Sequence, residues 1–146
     1  MNPVDKTAKA QSEAIAFEFE LQHRPEKVWR ALTDPTLLAK WLLPVMNLKL
    51  ELGAAFTFAA QPQPGWDGMV NCTFLEIEAQ RKLSYAWRVG AMDTVVTFTL
   101  TPTASGTHLA LVQSGFQPTQ KQNFGGARYG WKMMGEKLVD LLANVT

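Results

Sequence analysis

The strongest constraint on the fold is an alternation of apolar and polar residues that recurs in short segments along most of the chain. In residues 15–21, apolar side chains occupy every second position and two glutamates lie between them. A period of two is typical of a β-strand with one buried face. Similar segments follow between residues 45 and 114, with turn-forming residues between them at Gly53, 62–65, 79–81, 90–91 and 104–106. The pattern predicts an antiparallel meander of five or six strands, with a bulge where Phe74 and Leu75 are adjacent.

Two short helices are predicted between the first strand and the meander. Pro25 suits the first turn of a helix, and apolar residues follow at helical spacing to about Thr33. Asp34 is then a candidate N-cap with Pro35 at the first helical position, because a short carboxylate can accept from the free backbone N–H groups. This second helix is expected to end before Pro44.

A long helix is predicted at the C-terminus, after a polar stretch that ends at Asn123. Its apolar stripe, with three- and four-residue spacing, runs to about Asn144 and consists of Trp131, Met134, Leu138, Leu141, Leu142 and Val145. The first half also contains Gly130 and Gly135, each costing about 1 kcal/mol relative to alanine. They indicate close packing, special curvature or a nearby ligand. Gly125-Gly126 is interpreted as part of a flexible lead-in, with a phosphate cradle as the weaker alternative.

The order of these elements predicts an α+β fold, because no βαβ alternation occurs. A long meander with one apolar face can bury that face against a single long helix most simply if the sheet bends around the helix. We expect an apolar cavity between the two. Residues 1–12 are polar without periodicity and are predicted to be a flexible lead-in with no role in the fold. Residues 13–146 are predicted to form a single domain, which suits a chain of 146 residues.

Charge and cysteine content exclude several classes of protein. The net charge is +1 with no basic cluster, so neither nucleic acid nor an anionic membrane surface is expected as a partner. No window approaches the roughly 20 apolar residues of a membrane span, and no signal peptide is recognisable. Cys72 is the single cysteine, which rules out an internal disulfide and favours a reducing compartment. A cytoplasmic location is predicted.

Several short segments spread over residues 14–143 carry a family resemblance. They are Pro25–Trp29, Ala31–Pro35, Leu38–Trp41, Leu83–Trp87, Val95–Leu100, Gly106–Leu111, Ser114–Phe116 and Gly130–Trp131. In this order they resemble the START-like (SRPBCC) superfamily and, within it, the activator of Hsp90 ATPase homologues of the single-domain bacterial type. The resemblance implies a helix-grip fold with a cavity that takes hydrophobic or amphipathic ligands. Chaperone-activating relatives carry an additional N-terminal domain, for which this chain is expected to have no room.

The candidate ligand-binding residues are mostly aromatic, with a thioether and a few polar groups. They are Trp41, Phe58, Phe74, Tyr85, Trp87, Phe98, Gln113, Tyr129, Trp131 and Met134. Such a set is typical of an apolar pocket with a few convergent polar groups, although core packing is the alternative for each single residue. Arg128 is interpreted as a solvated arginine or, alternatively, as a partner for a ligand carboxylate. The site is expected against the helix between Tyr129 and Gly135.

No catalytic residue, metal site or cofactor is predicted, because no nucleophile, base and orienting partner form a recognisable motif. Period two places His108 on the outer face of its strand, and His23 is expected in an exposed turn. Cys72 is expected to be a small buried hydrophobe.

The first functional hypothesis is binding of a small hydrophobic or amphipathic molecule. One alternative is a cavity-based enzyme of cyclase, dehydratase or hydrolase type, with Tyr85 or Tyr129 as proton donor and Glu136 as base. Another is a stress-response or chaperone-interacting module. The oligomeric state is left open, with a homodimer as one alternative.

Overall fold

Eight strands and three helices make up the part of the chain described by a computed structural model, which covers residues 3–7 and 13–145. The bounds, in chain order, are β1 Val4–Asp5, β2 Ala14–Leu21, α1 Pro25–Thr33, α2 Pro35–Trp41, β3 Val45–Met46, β4 Ala55–Ala59, β5 Met69–Glu78, β6 Lys82–Val89, β7 Met92–Pro102, β8 Thr107–Ser114 and α3 Lys121–Asn144. No helix within these residues is both long and apolar enough to cross a membrane.

All strands belong to one antiparallel sheet in the order β1-β2-β8-β7-β6-β5-β4-β3. Strands β3 to β8 form the predicted meander, and it has six strands. Strand β2 pairs with the last strand of the meander, with Ala14 opposite Ser114 and Leu21 opposite Thr107. The sheet curves around α3, so the α+β helix-grip fold is confirmed.

The core lies between the inner face of the sheet and α3. In β7 the buried residues alternate with more exposed ones, as the period of two predicts, and they are Met92, Thr94, Val96, Phe98 and Leu100. Leu138 and Leu142 of α3 are fully buried against this face. The C-terminal half of α3 therefore anchors the helix, since burying one leucine side chain stabilises the fold by about 1.5–3 kcal/mol.

The two short helices have the predicted boundaries. The side chain of Asp34 accepts a hydrogen bond from the backbone N–H of Thr36 at 2.8 Å, which caps α2. The indole N–H of Trp41 donates to the carbonyl of Ala31 at 2.8 Å and ties α2 to α1. This packing orients the chain toward β3, at the far edge of the sheet.

Helix α3 begins at Lys121, earlier than the predicted start after Asn123. Residues 121–123 are all exposed, so this turn carries no apolar periodicity that a sequence pattern could detect. The predicted bulge is confirmed, because the pairing of β5 with β6 shifts register between Phe74 and Glu76. Leu75 is the extra residue, and its side chain is half exposed.

Contrary to the prediction for the lead-in, Val4 and Asp5 take part in the fold. Val4 pairs with Glu18, and the backbone N–H of Lys6 donates to the carbonyl of Ala16 at 2.7 Å. A two-residue strand is too short to show alternation, which is why no periodicity predicted it. The prediction also covered residues 1, 2 and 8–12, which lie outside the described part of the chain.

Candidate functional site

Most of the predicted binding residues meet in one aromatic cluster on the inner face of the sheet. Tyr85 of β6 is at its centre, with ring centroids between 5.2 and 6.5 Å from those of Phe56, Phe58, Phe74, Trp87 and Phe98. Trp131 of α3 lies 5.5 Å from Trp87 and 6.2 Å from Phe98. These rings are all buried. They fill the space between sheet and helix with side chains, so the expected apolar cavity does not lie at this point.

Gln113 is the polar member of the predicted set, and both ends of its amide are occupied by protein groups. Its Oε1 accepts from Trp131 Nε1 at 2.7 Å, and its Nε2 donates to Thr94 Oγ1 at 2.9 Å. Thr94 Oγ1 in turn donates to the carbonyl of Trp87 at 2.8 Å. All of these groups are buried. The network therefore fixes the ring of Trp131 against the sheet, and Gln113 is not a free handle for a ligand.

Two further predicted residues lie on α3 outside the aromatic cluster. Tyr129 is 66% exposed and Met134 is half-buried against the core. Glu136, the candidate base of the enzyme alternative, is exposed. Arg128 Nε donates to Asp5 Oδ2 at 2.6 Å. The residues expected to bring polar chemistry to the site from α3 thus face solvent or the N-terminal strand.

An apolar cavity of about 400 Å³ lies beside the aromatic cluster, at the first turns of α3. Its walls come from α3, the β6–β7 hairpin, the start of β5 and two loops, and the lining residues are Leu43, Trp66, Val70, Trp87, Val89, Met92, Asn123, Gly126 and Ala127. Trp87 is the predicted residue that lines it. None of the described residues that line it carries a titratable side chain. The cavity falls in the volume range of about 300–1,000 Å³ that is usual for small-molecule sites.

Gly126 is the lining residue that the sequence could have indicated, because a glycine inside a helix is unusual. A Cβ at this position would meet no atom within 4 Å, so the wall of the cavity is open at this residue. Residues 125–126 are helical, contrary to the predicted flexible lead-in. Leu43 and Trp66 lie in loops, where no periodicity indicates which way a side chain points.

Titratable groups beside the cluster and in the turn before α1 are held in their neutral forms. Burial raises the pKa of the Cys72 thiol to about 12. Burial, with the nearby Cys72, raises the pKa of Tyr85 well above its usual value. Burial and the charge of Lys27 lower the pKa of His23. No group of three or more metal-ligating side chains occurs among residues 3–7 and 13–145.

A second, more polar groove of about 460 Å³ runs along the start of α1. Its walls are His23, Arg24, Glu26, Lys27 and Arg30, and Arg24 and Glu26 are largely exposed side chains that pair at 3.7 Å. One helix face with solvent-exposed charges does not enclose a ligand. The apolar cavity at α3 is therefore the better candidate site.

Comparisons with known proteins agree with this architecture. The family model described as activator of Hsp90 ATPase homolog 1-like protein matches residues 22–143. No curated protein sequence matches the chain. A crystal structure of a protein from Mesorhizobium loti is 40% identical with a TM-score of 0.84, covering 91% of this chain and 98% of its own. A Chromobacterium violaceum protein is 27% identical with a TM-score of 0.74, covering 91% of this chain and 99% of its own.

A protein from the dynemicin biosynthetic locus shares the fold, with a TM-score of 0.75 at 20% identity. The match covers 90% of this chain and 48% of that protein. The family match spans most of the sheet and nearly all of α3, and the Mesorhizobium loti structure covers almost the whole chain at substantial identity. The chain therefore belongs to the family of activator of Hsp90 ATPase homolog 1-like proteins, within the START-like superfamily.

Proposed function

We propose that the chain binds a small hydrophobic or amphipathic molecule in the apolar cavity at the first turns of α3. The observation that carries this proposal is the lining, which combines two tryptophans and five aliphatic or thioether side chains with a single amide. A pocket of this composition gains binding free energy by removing apolar ligand surface from water, at about 25 cal/mol per Å². The family supports the proposal, because its fold is consistent with a ligand-binding domain.

The alternative of a cavity-based enzyme receives less support. General acid–base catalysis requires a titratable group within hydrogen-bond reach of the substrate. Among residues 3–7 and 13–145 no titratable group lines the cavity, and Tyr129 and Glu136 are exposed on α3. Tyr85 is enclosed by other rings and stays protonated, so at most it donates a hydrogen bond. The chaperone-interacting module, the homodimer and the cytoplasmic location stay predictions from the sequence.

The proposal is tested by filling the cavity from α3. Gly126→Leu adds a side chain at a lining position where the first atom meets no obstacle, so it should occupy the cavity without disturbing the fold. Gly125→Leu is the matched control, because Gly125 is helical and equally unobstructed but does not line the cavity. Both replacements should stabilise α3 by about 0.5–1 kcal/mol, since glycine is a poor helix former.

Binding would be measured by thermal shift and tryptophan fluorescence with fatty acids, sterols and aromatic polyketides. We expect at least one compound class to bind the wild type and Gly125→Leu alike, and Gly126→Leu at least tenfold more weakly. Absence of a response across the panel contradicts the proposal. Equal binding by both variants also contradicts it, because the ligand would then lie elsewhere.

A further inference from the structure

We infer that the ligand of this cavity is an uncharged molecule with an apolar frame and a carbonyl oxygen, which accepts a hydrogen bond from the indole N–H of Trp87. The inference rests on the proposed function and adds the chemical class of the ligand. It starts from the tryptophans. Buried indole N–H groups normally find a hydrogen-bond partner, because an unpaired buried donor destabilises the folded state.

Three tryptophans satisfy their indole N–H groups within the protein. The carbonyl acceptors are those of Ala31 for Trp41 and of Met69 for Trp66, and Trp131 donates to the side chain of Gln113. Trp87 differs from these. Its side chain is only 8% exposed, yet its N–H donates to no residue in the described part of the chain.

The unpaired indole N–H of Trp87 is accessible from outside the protein core. Within residues 3–7 and 13–145, His23 Nε2 is the single side-chain nitrogen or oxygen that is both fully enclosed and without a partner. The Trp87 nitrogen also lacks a partner but is not among the fully enclosed atoms, so part of its surface must be accessible. Trp87 lines the apolar cavity. The indole N–H is therefore available to an acceptor inside the cavity.

The surroundings select the kind of acceptor. An indole nitrogen is a donor only, so its partner must supply a lone pair. A carboxylate or phosphate buried here would lack a cationic partner, because no side chain in the described lining is charged and Arg128 is paired with Asp5. An uncharged carbonyl oxygen satisfies the donor without introducing a buried charge.

Fluorene and 9-fluorenone form a matched pair of probes, because they share a flat apolar frame and differ by a methylene against a carbonyl group. We would titrate each into ¹⁵N-labelled protein and follow the tryptophan indole resonances. The Trp87 resonance is the one that Trp87→Phe removes. We expect fluorenone to bind roughly three- to tenfold more tightly than fluorene, the range of one net hydrogen bond. It should also move the Trp87 indole proton downfield, which fluorene should not.

The two variants separate the hydrogen bond from the apolar contact. Trp87→Phe should bind both probes with nearly equal affinity. Trp66→Phe should keep the preference for fluorenone, because Trp66 lines the same cavity with its N–H already used by Met69. Equal binding of the two probes to the wild type, with no movement of the Trp87 resonance, overturns the inference and leaves the proposed function intact. Failure of both probes to bind also overturns it, and the compound panel then decides the proposed function separately.

Discussion

Gly135 determines how closely α3 approaches the sheet. A Cβ at this buried position would lie 2.9 Å from Cζ of Phe19 and 3.1 Å from Cγ of Pro3. Phe19 is itself 1% exposed, so its ring has little room to move. The sequence allows three reasons for this glycine, namely close packing, a special curvature or a nearby ligand, and the structure shows close packing.

We predict that Gly135→Ala destabilises the protein by about 1–2 kcal/mol, because overpacking outweighs the better helix propensity of alanine. Gly130→Ala is the control on the same helix, where the new methyl group would meet Met134 at an ordinary contact distance of 3.7 Å. It should stabilise the protein by up to about 1 kcal/mol. Urea unfolding of the two variants measures both effects. A Gly135→Ala protein as stable as the wild type would show that the helix shifts freely.

At the scale of single residues, the sequence predicted burial better than it predicted roles. The apolar alternation correctly placed Tyr85 and Trp87 on the inner face of β6. It could not indicate that Gln113 is occupied by Trp131 and Thr94, because those partners lie on other elements. Roles depend on contacts between distant segments, whereas burial follows from a local period.

Among the elements, β1 is an edge strand of the sheet that also contacts α3. Its backbone pairs with β2, while the side chain of Asp5 binds Arg128 of α3 at 2.6 Å. Pro3 precedes the strand and lies close to Gly135. The N-terminal segment thus holds the first half of α3, the same half that lines the cavity.

The ion pair at β1 should make part of the stability depend on pH. Burial acts to raise the pKa of Asp5, but hydrogen bonds from Arg128 and Thr7 outweigh it and hold the pKa below its usual 3.8. A lowered carboxylate pKa stabilises the fold above the unfolded-state value, and the contribution is lost as the pH falls through the folded-state value.

We predict that Asp5→Asn lowers the free energy of unfolding at pH 7 by a few tenths to about 1 kcal/mol, since the pair is partly solvent-screened. The difference from wild type should shrink below about pH 4, in the range where the carboxylate is protonated. Urea titrations at pH 7 and pH 3 check this. Glu51→Gln, which breaks an exposed pair with Lys49 inside one loop, should change little at either pH. A pH-independent loss in Asp5→Asn would assign the effect to backbone pairing instead.

The whole molecule has one continuous core shared by sheet and helices, so we expect it to unfold as a unit. Cys72 reports on this, because it is buried in the middle of β5 with a pKa near 12. We predict that a disulfide reagent modifies Cys72 at least about a thousandfold more slowly than it modifies the unfolded chain. The rate should rise with urea in parallel with the loss of circular dichroism.

A thiol at an exposed turn provides the comparison for this measurement. Ser105→Cys should react at once in the native protein, since residue 105 lies exposed between β7 and β8. Rapid modification of Cys72 under native conditions would instead indicate that β4, β5 and β6 separate locally while the remaining sheet stays folded.

For the molecule as a whole, the sequence was sufficient to predict the order of the main elements and the sheet around α3. Alternation and helical spacing are local signals, and together they left few ways to close a core. An apolar cavity against α3 was expected, but its lining could not be predicted, because Leu43, Trp66 and Gly126 come from two loops and a helix start. These segments have no repeating pattern, and only the folded chain brings them together with Trp87.

The pairing of β2 with β8 has a consequence for folding during synthesis on the ribosome. The apolar face of β2, with Ile15, Phe17 and Phe19, emerges early, while its hydrogen-bonding partner is among the last strands to be made. Contacts between such distant segments slow folding, and they leave hydrophobic surface exposed while translation proceeds. The nascent chain therefore carries β2 without its longer partner until residues 107–114 leave the exit tunnel. A newly made chain is most vulnerable to aggregation during this interval.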